Sequence, residues 1–250
     1  MAPFLFVTDL DNTLVGDDAA LAILKNKLSQ SRQNEGTKII YATGRSRTLY
    51  EQLKVEKSLL EPDALILSVG TEIYLDSSNT LEPNWVEQLS QDWNRDLVVA
   101  TTAHFSDLVP QPESEQGQFK VSYYLNEPIA TEVIPRLESM LEKRGLNVKL
   151  VYSSGQDLDI LPAQGNKGLA MQFMAQQWGF KGDRTVACGD SGNDITLFDT
   201  ADNRGIIVGN AKPELRQWHE ANPSPDRYLA QGACAAGILE GLEHFGFLRS

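Results

Sequence analysis

Five short stretches of this chain are apolar through their centres: Phe4–Val7 (FLFV), Lys38–Ala42 (KIIYA), Ala64–Ser68 (ALILS), Arg184–Gly189 (RTVACG) and Gly205–Gly209 (GIIVG). A strand that is apolar without alternation must be covered on both faces, which is the condition of a parallel sheet sandwiched between helices. Segments with helical spacing lie between them. Asp17–Ser31 carries Leu21, Leu24 and Leu28, and Ser46–Val55 carries Leu49 and Leu53. Asn166–Trp178 gathers Leu169, Phe173 and Met174 on one side and stops at Gly179. Strand and helix in alternation predict an α/β fold with a doubly wound, mainly parallel sheet as its core.

The middle of the chain reads differently. EPNWVEQLSQDWN and TEVIPRLESMLEKRG have helical spacing, KVSYYL alternates, and NVKLVYSS and DLDIL read as strands, with LVPQPESEQGQ as the most loop-like segment. This is the pattern of a smaller α+β insert, so the expected organisation is core over 1–78, insert over 79–160 and core again over 161–250.

Charge collects where two of the core strands end. Asp9 and Asp11 follow the first strand at i, i+2, so both carboxylates share one side while Leu10 turns inward. Ligands of open α/β sheets bind beyond the carboxyl ends of the strands. The fourth of the five runs ends in GDSGND, which adds Asp190 and Asp194, with Gly189 and Gly192 allowing a tight turn. Taken singly, each pair fits an ordinary strand-to-helix turn. Together they offer four carboxylates and no sulfur or imidazole, a donor set for Mg2+. An EF-hand is excluded, since Leu14 stands where its loop requires glycine and a strand precedes the loop. Thr43 and Gly44, in YATGR, offer a hydroxyl and an open backbone N–H to an anion. Lys167 stands at the start of a helix, where ammonium and helix dipole act together on a phosphate, although such a lysine alone is ordinarily solvated. No GxxxxGK[ST] segment occurs, so a nucleotide-binding P-loop is not the source of these features.

The balance of 22 basic against 34 acidic residues, net −12, argues against nucleic acid or an anionic membrane surface as partner. Two cysteines without a CxxC pair suit a reducing cytoplasm, and the first residues lack the basic and apolar regions of a signal peptide. No apolar run approaches the ~18 residues of a membrane span.

DLDNT, the threonine of YATGR, the lysine of NKG and GDSGND occur in the order of the four motifs of the haloacid dehalogenase superfamily, which the chain resembles from Asp9 to Asp194. FKVSYY, SSGQDLDILP, NKGLA and GILEGLEHF make it similar, within that superfamily, to the sucrose-phosphate phosphatases of cyanobacteria. The resemblance implies an α+β cap over the core and Mg2+-dependent hydrolysis of sucrose-6-phosphate. It makes Asp9 the nucleophile and Asp11 the general acid and base, with Thr43 and Lys167 also catalytic. It assigns the metal to Asp9, the main chain of Asp11, Asp190 and, through water, Asp194. Substrate is expected on Thr43, Gly44, Arg45, Lys167 and Asn193 of the core, and on Gln111, Lys120, Ser154 and Asp157 of the cap. One of Tyr123 and Tyr124 is expected in the core and the other at the surface, where it can stack on a sugar. Other sugar-phosphate phosphatases (for glucosylglycerol phosphate or mannosyl-phosphoglycerate), a phosphohexomutase and a non-catalytic module docking on a sucrose-phosphate synthase are the alternatives. The expected state is a monomer, with that synthase as its expected protein partner.

Overall fold

A computed structural model describes residues 2–75, 79–153, 155–199 and 202–248. The chain begins with β1 (Leu5–Thr8), α1 (Asp18–Glu35), β2 (Lys38–Ala42), α2 (Arg47–Lys57), β3 (Ala64–Leu67) and β4 (Glu72–Leu75). Its middle holds α3 (Pro83–Ser90), α4 (Arg95–Thr102), β5 (Val109–Pro110), β6 (Val121–Tyr124), α5 (Glu127–Lys143), β7 (Val148–Ser153) and β8 (Asp157–Pro162). It ends with α6 (Lys167–Trp178), β9 (Thr185–Gly189), α7 (Ile195–Asp199), β10 (Arg204–Ile207), α8 (Pro213–Ala221), β11 (Arg227–Leu229) and α9 (Cys234–His244).

Seven strands form one sheet in the order β11-β10-β9-β1-β2-β3-β4, parallel throughout except for the antiparallel β3–β4 pair. The unbroken apolarity of β1 has the expected cause. Phe4 and Phe6 pack on one face with Leu24, Tyr50 and Ile238, while Leu5 and Val7 pack on the other with Ile66, Met171 and Met174. Helices α1, α2 and α9 thus cover one side and α6 with α3 the other, giving the doubly wound core read from the sequence.

The second sheet, β5-β6-β8-β7, is antiparallel, and its period-two alternation sorts its residues. Val121, Tyr123, Leu158 and Ile160 point into a cluster closed by Val98 of α4 and Leu137 and Leu141 of α5. Lys120, Ser122, Tyr124, Asp157 and Asp159 take the alternate positions and so face the other way, toward the carboxyl ends of the large sheet. Tyr123 is the buried tyrosine, its hydroxyl 2.6 Å from that of Thr102, and Tyr124 is 40% exposed.

Candidate active site

The first acidic turn is built by main-chain bonds around a buried leucine. Leu10 is fully buried, and its carbonyl accepts from the N–H groups of Thr13, Leu14 and Val15. The loop closes through Asn12 at φ 60°, a left-handed conformation that asparagine tolerates. Asp9 stays beside the sheet, donating its N–H to the Cys188 carbonyl of β9 at 3.0 Å.

The second turn follows β9 and is held by Asp194. One carboxylate oxygen, Oδ2, accepts from the N–H groups of Asp190 (3.0 Å) and Ser191 (3.1 Å). Gly189 is required here, since a Cβ would come within 2.5 Å of the Asp194 Cβ. The two turns are tied together by the Thr13 hydroxyl, which donates to Asp190 Oδ1 at 3.1 Å.

Lys167, which on sequence grounds alone could have been an ordinary solvated lysine, is fully buried at the start of α6. Its ammonium donates to Asp9 Oδ1 and Asp194 Oδ1, each at 2.7 Å. Burial opposes its charge, but the Asp194 and Asp9 carboxylates outweigh burial and hold the lysine protonated beyond its ordinary range. Asp9 is pushed up to about 8 by burial; Lys167 pulls the other way, while Asp194 and Asp190 add to the rise. Asp190 is pushed up to about 6 by burial and by Asp194. Two of these buried carboxylates, Asp9 and Asp194, share one lysine, while Asp190 is held by the Thr13 hydroxyl. Oxygens of Asp9, Asp190 and Asp194 lie within 4.8 Å of one another, a cluster that could hold a metal ion. Both Asp194 oxygens are already engaged by protein donors, so Asp9 and Asp190 are the side chains that fit a hard cation, as all-oxygen donors should.

Across the mouth stands the turn after β2. Thr43 is buried, with its N–H bound to the Ile66 carbonyl at 2.8 Å and its hydroxyl accepting from the Arg45 N–H at 3.2 Å. Arg45 grips Asp11 with a two-pronged pair, Nε to Oδ2 and Nη2 to Oδ1, both at 2.7 Å. Asn193 Nδ2 lies 3.8 Å from where Gly44 would carry a Cβ, so the two turns face each other at close range.

A cavity of about 570 Å³ opens over these turns and is roofed by the second sheet. Its lower wall includes Asp9, Asp11, Thr43, Gly44, Arg45, Asp190 and Asn193, and its upper wall Gln111, Lys120, Tyr124 and Asp157. Lys167 and Asp194 sit behind Asp9. Ser154, assigned to substrate from the sequence, lies outside the described residues. In the upper wall Gln111 donates to Asp157 Oδ1 at 3.0 Å, and Lys120 stands 3.9 Å from both Glu115 and Asp159. Burial, with Asp159 adding, raises the Asp157 carboxyl.

Glu115, Asp159 and Lys212 line the cavity and were not singled out in the sequence. Asp159 was recoverable, because it sits two positions from Asp157 in an alternating strand. Glu115 lies in the segment read as loop, where no periodicity says which side chains turn inward, and Lys212 follows a strand end without any motif.

Known proteins are similar to this chain throughout its length. Sucrose-phosphatase 1 of Nicotiana tabacum is 41% identical over 252 residues, 98% of this chain and 59% of the relative, so the chain spans about three fifths of that plant protein. Mannosylfructose-phosphate phosphatase of Agrobacterium fabrum is 31% identical over 244 residues, 97% of this chain and 96% of the relative. The crystal structure of the sucrose-phosphatase from Synechocystis sp. PCC6803, in complex with sucrose and phosphate, superposes with a TM-score of 0.92 at 40% identity and covers 100% of both chains. Solved haloacid dehalogenase-like hydrolases share the fold. The family model for sucrose-6F-phosphate phosphohydrolases matches residues 2–246, a span that takes in every turn and strand of the cavity, and the chain belongs to that family.

Proposed function

We propose that this chain hydrolyses sucrose-6-phosphate to sucrose and phosphate. The observation that carries the reading is a cavity in which a lysine-backed carboxylate, Asp9, faces a wall of amide, hydroxyl and charged side chains on the second sheet. The family and the relatives named above support the substrate. Asp9 attacks phosphorus, an aspartyl-phosphate forms, and the bond from phosphorus to the sugar oxygen breaks. Asp11 gives its proton to the departing oxygen, then as carboxylate takes one from the water that splits the intermediate. Before the first step Asp11 must leave the Arg45 fork, because both of its oxygens are occupied there as acceptors of guanidinium N–H groups. Lys167 stays in place and holds charge balance behind the nucleophile. Thr43 and Gly44 present a hydroxyl and an N–H to the phosphoryl oxygens.

Asp9 and Asp190, with the main chain of Asp11, are the groups we assign to Mg2+. When bound it supplies positive charge that lets a carboxylate approach a phosphate dianion. Asp194 acts by fixing Lys167 and the β9 turn. In this reading residues 79–160 form the cap, whose polar sheet face, with Gln111, Lys120 and Asp157, binds the sugar hydroxyls. Described residues contain no helix long and apolar enough to cross a membrane, and Cys188 and Cys234 are unpaired. We further place it in the cytoplasm as a monomer, with a sucrose-phosphate synthase as its protein partner.

The similarity to mannosylfructose-phosphate phosphatase supports a second disaccharide phosphate as the alternative substrate. Phosphate release with Mg2+ is therefore to be measured on sucrose-6-phosphate, mannosylfructose phosphate, fructose-6-phosphate and glucose-6-phosphate, with Asp9→Asn as the blank. The expected outcome is strong preference for sucrose-6-phosphate and no turnover by the variant. Equal rates on all four would remove the substrate assignment, and near-normal release by Asp9→Asn would remove the nucleophile.

A further inference from the structure

Lys212 is half-buried at the start of α8, and its N–H donates to the Asp190 carbonyl at 2.7 Å. Its root is thus fixed to the turn that carries the acidic cluster. It lines the cavity together with Asp190 from below and Asp157 from above. The cavity it lines lies between the carboxyl ends of the large sheet and the second sheet. The other cations of the site stand elsewhere: Arg45 on Asp11, Lys120 between Glu115 and Asp159, and Lys167 behind Asp9.

A sugar phosphate with its phosphorus over Asp9 and its sugar against the second sheet lies in a cavity that Asp190 lines from below and Asp157 from above. A phosphate dianion there has carboxylates on two sides, and in a partly desolvated cavity that repulsion is far stronger than in water. A cation at this point serves ground-state binding of the phosphate, and it has no part in proton transfer.

We infer that Lys212 is a further substrate-binding residue, contacting the phosphate on the side where it joins the sugar; the inference rests on the phosphatase reading above. Its effects on phosphate and on metal have opposite signs. Removing the charge withdraws a partner from the phosphate but also withdraws a like charge from the neighbourhood of Asp190, so Mg2+ should bind no more weakly.

The test is calorimetric titration of inorganic phosphate in the presence of Mg2+, of Mg2+ alone and of sucrose alone, on wild type, Lys212→Met and Lys212→Arg. Removal of one hydrogen bond to a charged group is expected to weaken phosphate about tenfold in Lys212→Met. KM for the sugar phosphate should rise by the same factor, with kcat nearly unchanged. Mg2+ should bind at least as tightly as to wild type, sucrose should be unaffected, and Lys212→Arg should restore most of the phosphate affinity. Phosphate affinity in Lys212→Met equal to that of wild type would overturn the inference. So would joint weakening of phosphate and Mg2+ without rescue by arginine, the signature of a disturbed β9 turn. If wild type binds phosphate but hydrolyses no sugar phosphate, the phosphatase reading falls while the phosphate titrations still decide the role of Lys212.

Discussion

Lys167 has two carboxylates at 2.7 Å and no exposed surface, and a substitution there acts on stability and chemistry together. Lys167→Met is expected to abolish turnover and to cost about 3–5 kcal/mol where both carboxylates remain ionised, because breaking one partner out of a buried pair strands the other. Urea unfolding at pH 8 and at pH 5 checks this: the deficit should shrink at pH 5, where Asp9 can take a proton instead. Arg45 is a different kind of partner, since its grip on Asp11 lies at the cavity wall with Asp11 still 45% exposed. Arg45→Met removes the fork that Asp11 must leave before the first step and is expected to raise kcat, since Asp11 no longer has to be released from it. A kcat equal to wild type would put the pair outside the chemistry. Neither partnership could be read from the sequence, which showed the acids and the cations but not their pairing. Asp9 and Lys167 are 158 positions apart, and nothing local to either residue marks the other.

Helix α6 carries Lys167, and its position depends on two residues that touch no substrate. Asn166 caps it by accepting the Leu169 N–H at 2.9 Å, so Asn166→Ala should cost about 1 kcal/mol in a thermal or urea melt. Gly70 stands at φ 102° with its α-carbon so close that a Cβ would lie 2.2 Å from the Asn166 carbonyl carbon. Gly70→Ala is expected to cost more than ~1 kcal/mol and to reduce activity beyond its effect on folding, because the helix start must retreat and take Lys167 with it. An active variant with normal kinetics would show that the close approach is dispensable. At this scale the sequence was most legible where apolar runs were long enough to have a period. The five core strands and α1, α2, α5 and α6 were all anticipated, α1 running on to Glu35 before Gly36 ends it in a left-handed turn. Strands β5 and β11 have two and three residues, too few to establish alternation, and β4 (EIYL) begins with a charge and lacks an unbroken apolar run. One helical reading across EPNWVEQLSQDWN proved to stop at Ser90, and α4 begins separately at Arg95 under an Asn94 cap.

The whole molecule carries the charge cluster as a pH-dependent load. Asp9 and Asp190 hold their protons up to about 8 and about 6 in the folded chain, against an ordinary value of 3.8. Between these values the folded state binds more protons than the unfolded one, so stability falls as pH rises. The contribution is fully present below about 3.8, is lost from Asp190 through about 6 and from Asp9 through about 8. Without divalent ions, Tm is expected to drop from pH 5 to pH 8. Mg2+ should raise it more at pH 8 than at pH 5, since the ionised carboxylates are its ligands. A Mg2+ effect equal at both pH values would separate the ion from this cluster. The sheet order has a further consequence, one that concerns synthesis. Strand β1 sits between β2, which follows it closely in the chain, and β9, whose Thr185 pairs with Leu5. A ribosome adding roughly 5–20 residues per second leaves the β9 side of β1 unpaired for on the order of ten seconds or more. During that time Phe4–Thr8 offers an apolar edge to other nascent chains, and a chaperone that shields the amino terminus until residue 189 has emerged would protect both the sheet and the nucleophile at its end.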